Sequence, residues 1–452
     1  MRGILALGTP HTSGTTLLRL RCAAPKYRSI RSGQSSCEGI GPGPSSGARD
    51  ALCIAGERQL QETAKSRSNT GSSEVAIVGA SAAGLFTASL LARQRWPVRV
   101  FERAEALNPA PRTLIVTSRM RQLLGPVGER AIVNEIKRFE LFTNGRSATV
   151  PLQEPDLIIE RAELIQGLAD ESQKHGATIE FGRRFASLSG SNGGVDLTFE
   201  RAGSQPERVH AESVVGADGA YSAVAKAAGW PAQPTVPLVQ ALVDLPKGMS
   251  ADSVRVWFRP DDTPYFYWLI PESASRGALG LIGIDGQETR RCLDRFMEEK
   301  GFSPYSYQGA RIPAYEQWIP VERRIGNGRV FLVGDAAGQV KVSTVGGIVT
   351  GFRGALGVSQ AILQNGSRSE LRSLRRELDW HLWIRRSLHR FKQDDYSRLV
   401  DLVGGALLQS LGRVSRDEAA RVLWQVCRSR PQLLLTGLRG ILTRMPLASR
   451  DE

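Results

Sequence analysis

The sequence predicts a mixed α/β chain (α+β): a parallel-sheet α/β domain, an antiparallel sheet inserted into it, and a helical C-terminal region. Three observations predict it. A strand, glycine turn, helix and strand open the ordered part at Glu74, in EVAIVGASAAGLFTASLLARQRWPVRVFERAEAL. Short apolar runs alternate with turns from about 179 to 290, and helical apolar spacing takes over from about 369. The predicted segments are a tail (1–72), an α/β domain in pieces (73–190, 205–235 and 321–365), an inserted sheet domain (236–320) and a helical region (366–452).

At 452 residues the chain can bury one large or two ordinary cores. No apolar run is long enough for a transmembrane helix. Cys22, Cys37, Cys53, Cys292 and Cys427 are scattered and form no CxxC, which argues against a disulfide framework or zinc site and suits a reducing, cytoplasmic compartment. The five histidines lack metal-ligand spacing, so no metal is expected.

The net charge of +14 sits at the two ends. Residues 1–72 carry 10 basic and 4 acidic side chains, residues 366–452 carry 17 and 10, and the middle carries 32 and 31. A nucleic-acid enzyme would concentrate positive charge around its site, so no nucleic acid is expected. The basic C-terminal helices can rest on a membrane surface or pack as an amphipathic cap.

Residues 1–72 are rich in Ser, Gly, Arg and Thr, and no acidic residue precedes Glu38. A disordered tail or an upstream start assigned in error is the favoured reading, with an organellar transit peptide as the alternative. Order begins with VAIVGASAAG. In a βαβ unit the first glycine, Gly79, makes the tight turn, and the last, Gly84, lets helix and strand pack closely. Ser81 stands where a middle glycine would let a pyrophosphate approach the helix N-terminus. Glu102 follows 23 residues after Gly79, at the end of the second strand, where a carboxylate accepts hydrogen bonds from ribose hydroxyls. Together these read as a Rossmann-like dinucleotide site. DLIIERAELIQGLADESQKHGATIEFGRRF then reads as a helix leading into a strand.

Two further turns follow strands: ESVVGADGAYSAVAKAAG, with Asp218–Gly219, and RVFLVGDAAGQVKVSTVGGIVTG, with Gly334–Asp335. Each alone is an ordinary turn. In this order and at these separations, the three motifs resemble the FAD-dependent oxidoreductases built like p-hydroxybenzoate hydroxylase. The resemblance spans about 74 to 365. It implies a Rossmann-like FAD-binding domain and NADPH or NADH as reductant. It further implies that Gly79, Ser81, Ala82, Ala83, Gly84, Glu102 and Arg103 hold the ADP half. Asp218 would lie near the pyrophosphate and Asp335 on the ribitol, with Arg161 and, more loosely, Arg112 touching FAD. The DG motif usually runs on to Ser-x-Val-Arg; Ser222 and Val224 match, while Ala225 and Lys226 depart from it.

Aromatic hydroxylases typically carry histidine after GDAA; this chain has Gly338. The stretch looks like that of geranylgeranyl reductases, GDAAGQVKPTTGGGI: Lys341, Thr344, Gly346, Gly347 and Ile348 match, and Val342 and Val345 depart. The glycine pair would let backbone amides approach the flavin ring, with a helix near Gly347 adding its positive end. The substrate wall is expected in VRVWFRPDDTPYFYWLIP, with Trp257, Phe266 and Trp268 on one face and Phe258 and Tyr267 on the other. Phe266-x-Trp268-x-Ile270-Pro271 resembles the YxWxFP element of geranylgeranyl reductases and the WxWxIP element of flavin-dependent halogenases. Phe266, Tyr267 and Trp268 are therefore the pocket candidates, for a small apolar substrate. Many prenyl reductases have a cysteine soon after the second strand, but ALNPAPRTLIVTSRM has none. The proton donor is left open between Tyr267 and water. The resemblance implies delivery of hydride to carbon–carbon double bonds of an isoprenoid or other apolar substrate. The alternatives are hydroxylation or halogenation of an aromatic or polyketide-like compound, and a flavin-binding redox partner without turnover.

Overall fold

The computed structural model describes residues 74–363, 368–404 and 417. The expectations for residues 1–72 and, Asp417 apart, for the helical segments from 405 onward lie outside them.

β1 (Val75–Val78) runs into α1 (Ala82–Arg93) and β2 (Val98–Phe101), then β3 (Thr113–Val116) and the short helices α2 (Arg119–Leu124) and α3 (Pro126–Glu129). A long hairpin, β4 (Ile132–Thr143) and β5 (Arg146–Glu160), leads into α4 (Arg161–Lys174) and β6 (Thr178–Glu180). β7 (Arg184–Ser191), β8 (Gly194–Glu200) and β9 (Glu207–Ala211) form a small meander before β10 (Ser213–Gly216) and α5 (Ala223–Ala227). β11 (Thr235–Asp244), β12 (Ser253–Trp257), β13 (Tyr267–Pro271), β14 (Arg276–Ile282), α6 (Gly286–Lys300) and β15 (Pro304–Pro313) follow. The chain returns through β16 (Glu322–Ile325) and β17 (Gly328–Leu332) to α7 (Ile348–Ile362), α8 (Ser369–Leu388) and α9 (Gln393–Gly404).

The first sheet has the order β16-β17-β10-β1-β2-β6, parallel except for the β16 edge. All four β1 residues are buried, as a parallel strand covered by helices on both faces requires. α1 packs on α4 and α7, with Phe86 edge-on to Phe352 at 5.1 Å between ring centroids. The second sheet runs β15-β11-β14-β13-β12-β4-β5-β3 and is antiparallel except between β12 and β4. α6 covers part of one face, burying Cys292, Leu293, Phe296 and Met297 against Leu279, Leu281 and Tyr267.

Two local readings differ from the sequence expectation. DLIIE is the end of strand β5, and the helix starts only at Arg161. The segment 113–160, expected with the α/β domain, gives three strands to the second sheet. Its hairpin turns on Asn144–Gly145, both at positive φ (40° and 75°), the pattern of a two-residue turn matched to strand twist.

α8 is fastened to α7 by charge. The Arg353 guanidinium, 1% exposed, pairs with Glu370 and Glu377 and donates to Ser373 Oγ at 3.2 Å. No helix among the described residues is long and apolar enough to cross a membrane.

Candidate functional site

At the C-terminal ends of β1, β2 and β10 the chain forms an outer cleft of about 470 Å³. Its floor is set by close backbone packing. Gly79 sits at φ +101°, and a Cβ there would meet the Ala217 carbonyl oxygen at 2.7 Å. A Cβ on Gly84 would come within 2.4 Å of the Gly79 oxygen and 2.8 Å of Ala217 Cβ. The first and second motifs are thus locked together through Ala217, whose amide also donates to Val78 O at 2.8 Å. Ser81 is the N-cap of α1, its Oγ accepting from the Gly84 amide at 3.2 Å. Ala82, Ala83 and Gly84 lie beneath the cleft rather than on its wall.

Glu102 closes the far side. One carboxylate oxygen accepts from the Ala80 amide at 2.9 Å and the other from the Ala104 amide at 3.0 Å. Arg103 is exposed on the same rim. Asp218 accepts from the Ser222 hydroxyl at 2.5 Å and the Val224 amide at 3.1 Å, which fixes the start of α5. Burial pushes its carboxyl above the usual range, against those hydrogen bonds. Arg183 and Arg184, which follow β6, also line this cleft and escaped the sequence reading.

Asp335 lies in a 3₁₀ turn, Gly334–Ala337, just past β17. Gly334, at φ +63°, faces Ala83 Cβ so closely that a Cβ would lie 2.9 Å away, which brings the third motif onto the first. Among the described residues the Asp335 carboxylate accepts no hydrogen bond. Its Oδ1 lies 3.3 Å from where a Gly347 Cβ would stand. Burial pushes the carboxyl up, opposed by the Arg112 and Arg161 guanidiniums. Burial in turn lowers both arginines, and Arg161 lowers Arg112 further. Two cations and one anion thus face one another without a close ion pair among the described residues. Glu160, unread in the sequence, organises them: it accepts from the Arg112 amide at 2.9 Å and caps α4 at the Glu163 amide at 2.8 Å.

Beyond the loop 338–347 lies an inner cavity of about 100 Å³. One wall is Lys341, Thr344, Val345, Gly346, Gly347 and Ile348; the other is β3 with Leu238, Gln240, Trp268, Ile270 and Ile282. α7 begins here with Gly347 as its N-cap and no side chain capping it, so its first amides are left for another acceptor. Gln339, also unread, ties the loop down. Its Oε1 accepts from the Gly334 amide at 2.8 Å, and its carbonyl accepts from Thr350 Oγ1 at 2.5 Å. Lys341 is buried and its ammonium pairs with Asp417, which also accepts from Thr117 Oγ1 at 2.6 Å.

The aromatic candidates divide. Trp268 is on the cavity wall, while Phe266 packs edge-on against Trp268 at 6.2 Å, behind it. Tyr267 points to the opposite face, stacked on Phe296 at 4.2 Å, and its hydroxyl donates to Asp262 Oδ2 at 3.1 Å. Burial pushes that phenol far up. Tyr267 is therefore neither pocket wall nor proton donor. The expected grouping of Trp257 with Trp268 is corrected too. Trp257 is paired in register with Tyr267, and directly opposed residues share a face. It packs on Phe296 at 5.3 Å, while Phe258 joins Phe266 on the other side at 6.3 Å.

The FAD binding domain family matches residues 72–364. The chain is 27% identical over 367 residues to digeranylgeranylglycerophospholipid reductase 2 of Methanothermobacter thermautotrophicus, covering 76% of this chain and 87% of that protein. It is 27% identical over 318 residues to aklavinone 12-hydroxylase RdmE of Streptomyces purpurascens, covering 58% and 57%. A geranylgeranyl bacteriochlorophyll reductase-like structure from Thermoplasma acidophilum superposes with TM-score 0.68 at 18% identity, covering 81% of this chain and 99% of that one. The chain belongs to the FAD binding domain family, among the FAD-dependent oxidoreductases that include the geranylgeranyl reductases.

Proposed function

We propose that this chain is an FAD-dependent reductase, recharged by NADPH or NADH, that adds two hydrogens across carbon–carbon double bonds of an isoprenoid or other apolar substrate. The observation that carries the reading is the inner cavity. An apolar sheet face closes on the uncapped start of α7, and Lys341 is the one titratable side chain lining it among the described residues.

The residues present fit FAD. The unpartnered Asp335 carboxylate suits the ribitol hydroxyls, and Gly79, Ser81, Glu102, Arg103, Arg161 and Asp218 wall the cleft that suits the ADP half. Arg112 and Arg161 supply positive charge for its phosphates. The amides of Gly346, Gly347 and Ile348 are left for the ring. Bound FAD supplies the hydride; the protein binds, orients and holds a proton. Lys341 Nζ is the proton-bearing group in the cavity wall, kept in place by Asp417. Lys341→Met, combined with Asp417→Asn so that no unpaired carboxylate is buried, is expected to keep FAD and its reduction by nicotinamide while slowing substrate reduction about 100-fold or more, against Asp417→Asn alone as control.

Contact with a membrane surface belongs to the same reading. α8 carries five arginines and leaves Trp380 43% exposed, next to Trp383 at 6.4 Å.

The kinship with a hydroxylase and the cysteine-free stretch 106–120 favour one competitor, oxygen-dependent hydroxylation. The deciding experiment loads the full chain with FAD and supplies NADPH and a prenyl substrate without oxygen. Reduction predicts a mass gain of two hydrogens per double bond. A product that forms only with oxygen and gains one oxygen atom would overturn it.

A further inference from the structure

We propose that Glu377 is the relay that returns a proton from solvent to Lys341 after each double bond is reduced. The inference rests on reading Lys341 as the proton-bearing group of the inner cavity.

A group that gives up a proton once per double bond must be reloaded as often. Lys341 is cut off from water: its side chain is 6% exposed and that of its partner Asp417 is 3%. Asp417 is a poor carrier. One of its oxygens meets the Lys341 ammonium and the other accepts from Thr117 Oγ1, so it is held as a counter-ion.

α8 brings a second carboxyl to the same place. Its Leu374 and Leu378 pack with Val342, and His381 Nδ1 meets Ser343 Oγ at 2.5 Å. Positions 374, 377, 378 and 381 are three or four apart and share one helix face. Glu377 therefore lies on the face that covers the two residues after Lys341. One of its oxygens pairs with Arg353 on α7; the other, Oε1, is buried and accepts no hydrogen bond among the described residues. The Glu377 side chain is 11% exposed, which makes it the most open to water of the three.

The charges give the relay its direction. Burial raises the Glu377 carboxyl, the Arg353 and Lys341 cations lower it, and Asp417 raises it again. When the Lys341 ammonium gives up its proton, one of the two cations that keep Glu377 ionised is gone. Glu377 then binds a proton from water and passes it to the Lys341 amine, by class a stronger base than a carboxylate. An N–H bond breaks at Lys341 as a C–H bond forms on one substrate carbon. The other carbon takes the hydride, so each double bond consumes one hydride and one solvent proton.

The test uses the FAD-loaded full chain, reduced beforehand with NADPH, and a prenyl substrate without oxygen. It compares the first turnover with the steady state. Glu377→Gln is expected to complete the first turnover within about 3-fold of the wild-type rate, since Lys341 starts as the ammonium, and to slow the steady state about 10-fold or more. Glu370→Gln removes charge from the same Arg353 and should leave both rates within about 3-fold of wild type. An unchanged steady state in Glu377→Gln would overturn the proposal. So would a first turnover slowed as much as the steady state, because a side chain that only positions Lys341 acts on both. The same two rates in Glu370→Gln would overturn it as well. Should Glu377→Gln fail to retain FAD, Glu377→Asp carries the test. Its shorter acid should enlarge the solvent deuterium isotope effect on the steady state but not on the first turnover; an effect equal to that of wild type would overturn the relay. If Lys341→Met with Asp417→Asn matches Asp417→Asn alone in the first turnover, the Lys341 reading falls and the relay with it. If that double variant is slow while Glu377→Gln behaves as wild type throughout, only the relay falls.

Discussion

The outer cleft and the inner cavity share no lining residue and are built differently. The cleft is shaped by backbone: Gly79, Gly84 and Gly334 let three chain segments approach until a single Cβ would collide. The cavity is shaped by side chains: Trp268, Ile270 and Ile282 from one sheet face, against Lys341 and Val345. The difference teaches where each half can change. At those three glycines almost any substitution breaks the cleft, whereas the cavity can be resized without disturbing the fold.

The harshest way to break that contrast is Gly79→Val. A side chain there must displace the Ala217 carbonyl, so a loss of at least about 3 kcal/mol and a colourless protein are expected. Gly219→Ala is the control. It shares a positive φ (+88°) but has nothing within 4 Å, so it should cost only about 1 kcal/mol. Equal losses in urea melts would mean that conformation, not crowding, governs the cleft. Asp335→Asn comes next. Losing charged hydrogen bonds worth about 1.5–3 kcal/mol should weaken FAD binding about 10- to 100-fold, read by flavin fluorescence. An unchanged affinity would remove Asp335 from the cofactor site.

The cavity side is sharpened by a pair of neighbours. Trp268→Ala should weaken a prenyl ligand about 10-fold, consistent with losing an aromatic wall. Tyr267→Phe should leave that affinity unchanged and cost about 1 kcal/mol of stability, since only the Asp262 and Cys292 contacts are lost. A reversed pattern would contradict the face assignment. The smallest effect concerns pH. Asp335 has a folded-state pKa raised by burial, so its contribution to stability is fully present below the unfolded value and is lost as pH rises through the folded one. FAD-free Asp335→Asn should therefore melt above FAD-free wild type at pH 7, by about 1–3 °C, with the gap closing towards pH 4. A gap that widens on acidification would give the shift the opposite sign.

The same contrast governs what could be read from sequence. Gly79, Gly84 and Glu102 stand out because backbone geometry dictates residue type at fixed spacing. The parity of Trp268 and Tyr267 could be read only as alternation. Which of them meets the cavity depends on pairing with β12 and β14, and Trp257 was assigned to the wrong side for that reason. The Asn144–Gly145 hairpin is legible too, since that dipeptide marks a two-residue turn. Glu160, Gln339 and Asp417 had no such mark. Each is a single polar residue, and Asp417 finds Thr117 across 300 positions.

Arg353 and Lys341 carry a consequence for how this protein can be cut. The family match ends at residue 364, but the carboxylates that neutralise these two buried cations are Glu370, Glu377 and Asp417. A fragment trimmed to the homologous region would lose these carboxylates together with the helix that carries Glu370 and Glu377, taking the counter-charges from Arg353 and Lys341 and baring Tyr315 and Val342, which that helix covers. The domain recognised by kinship and the unit that is electrically neutral inside are different lengths of chain, and only the longer one is expected to fold.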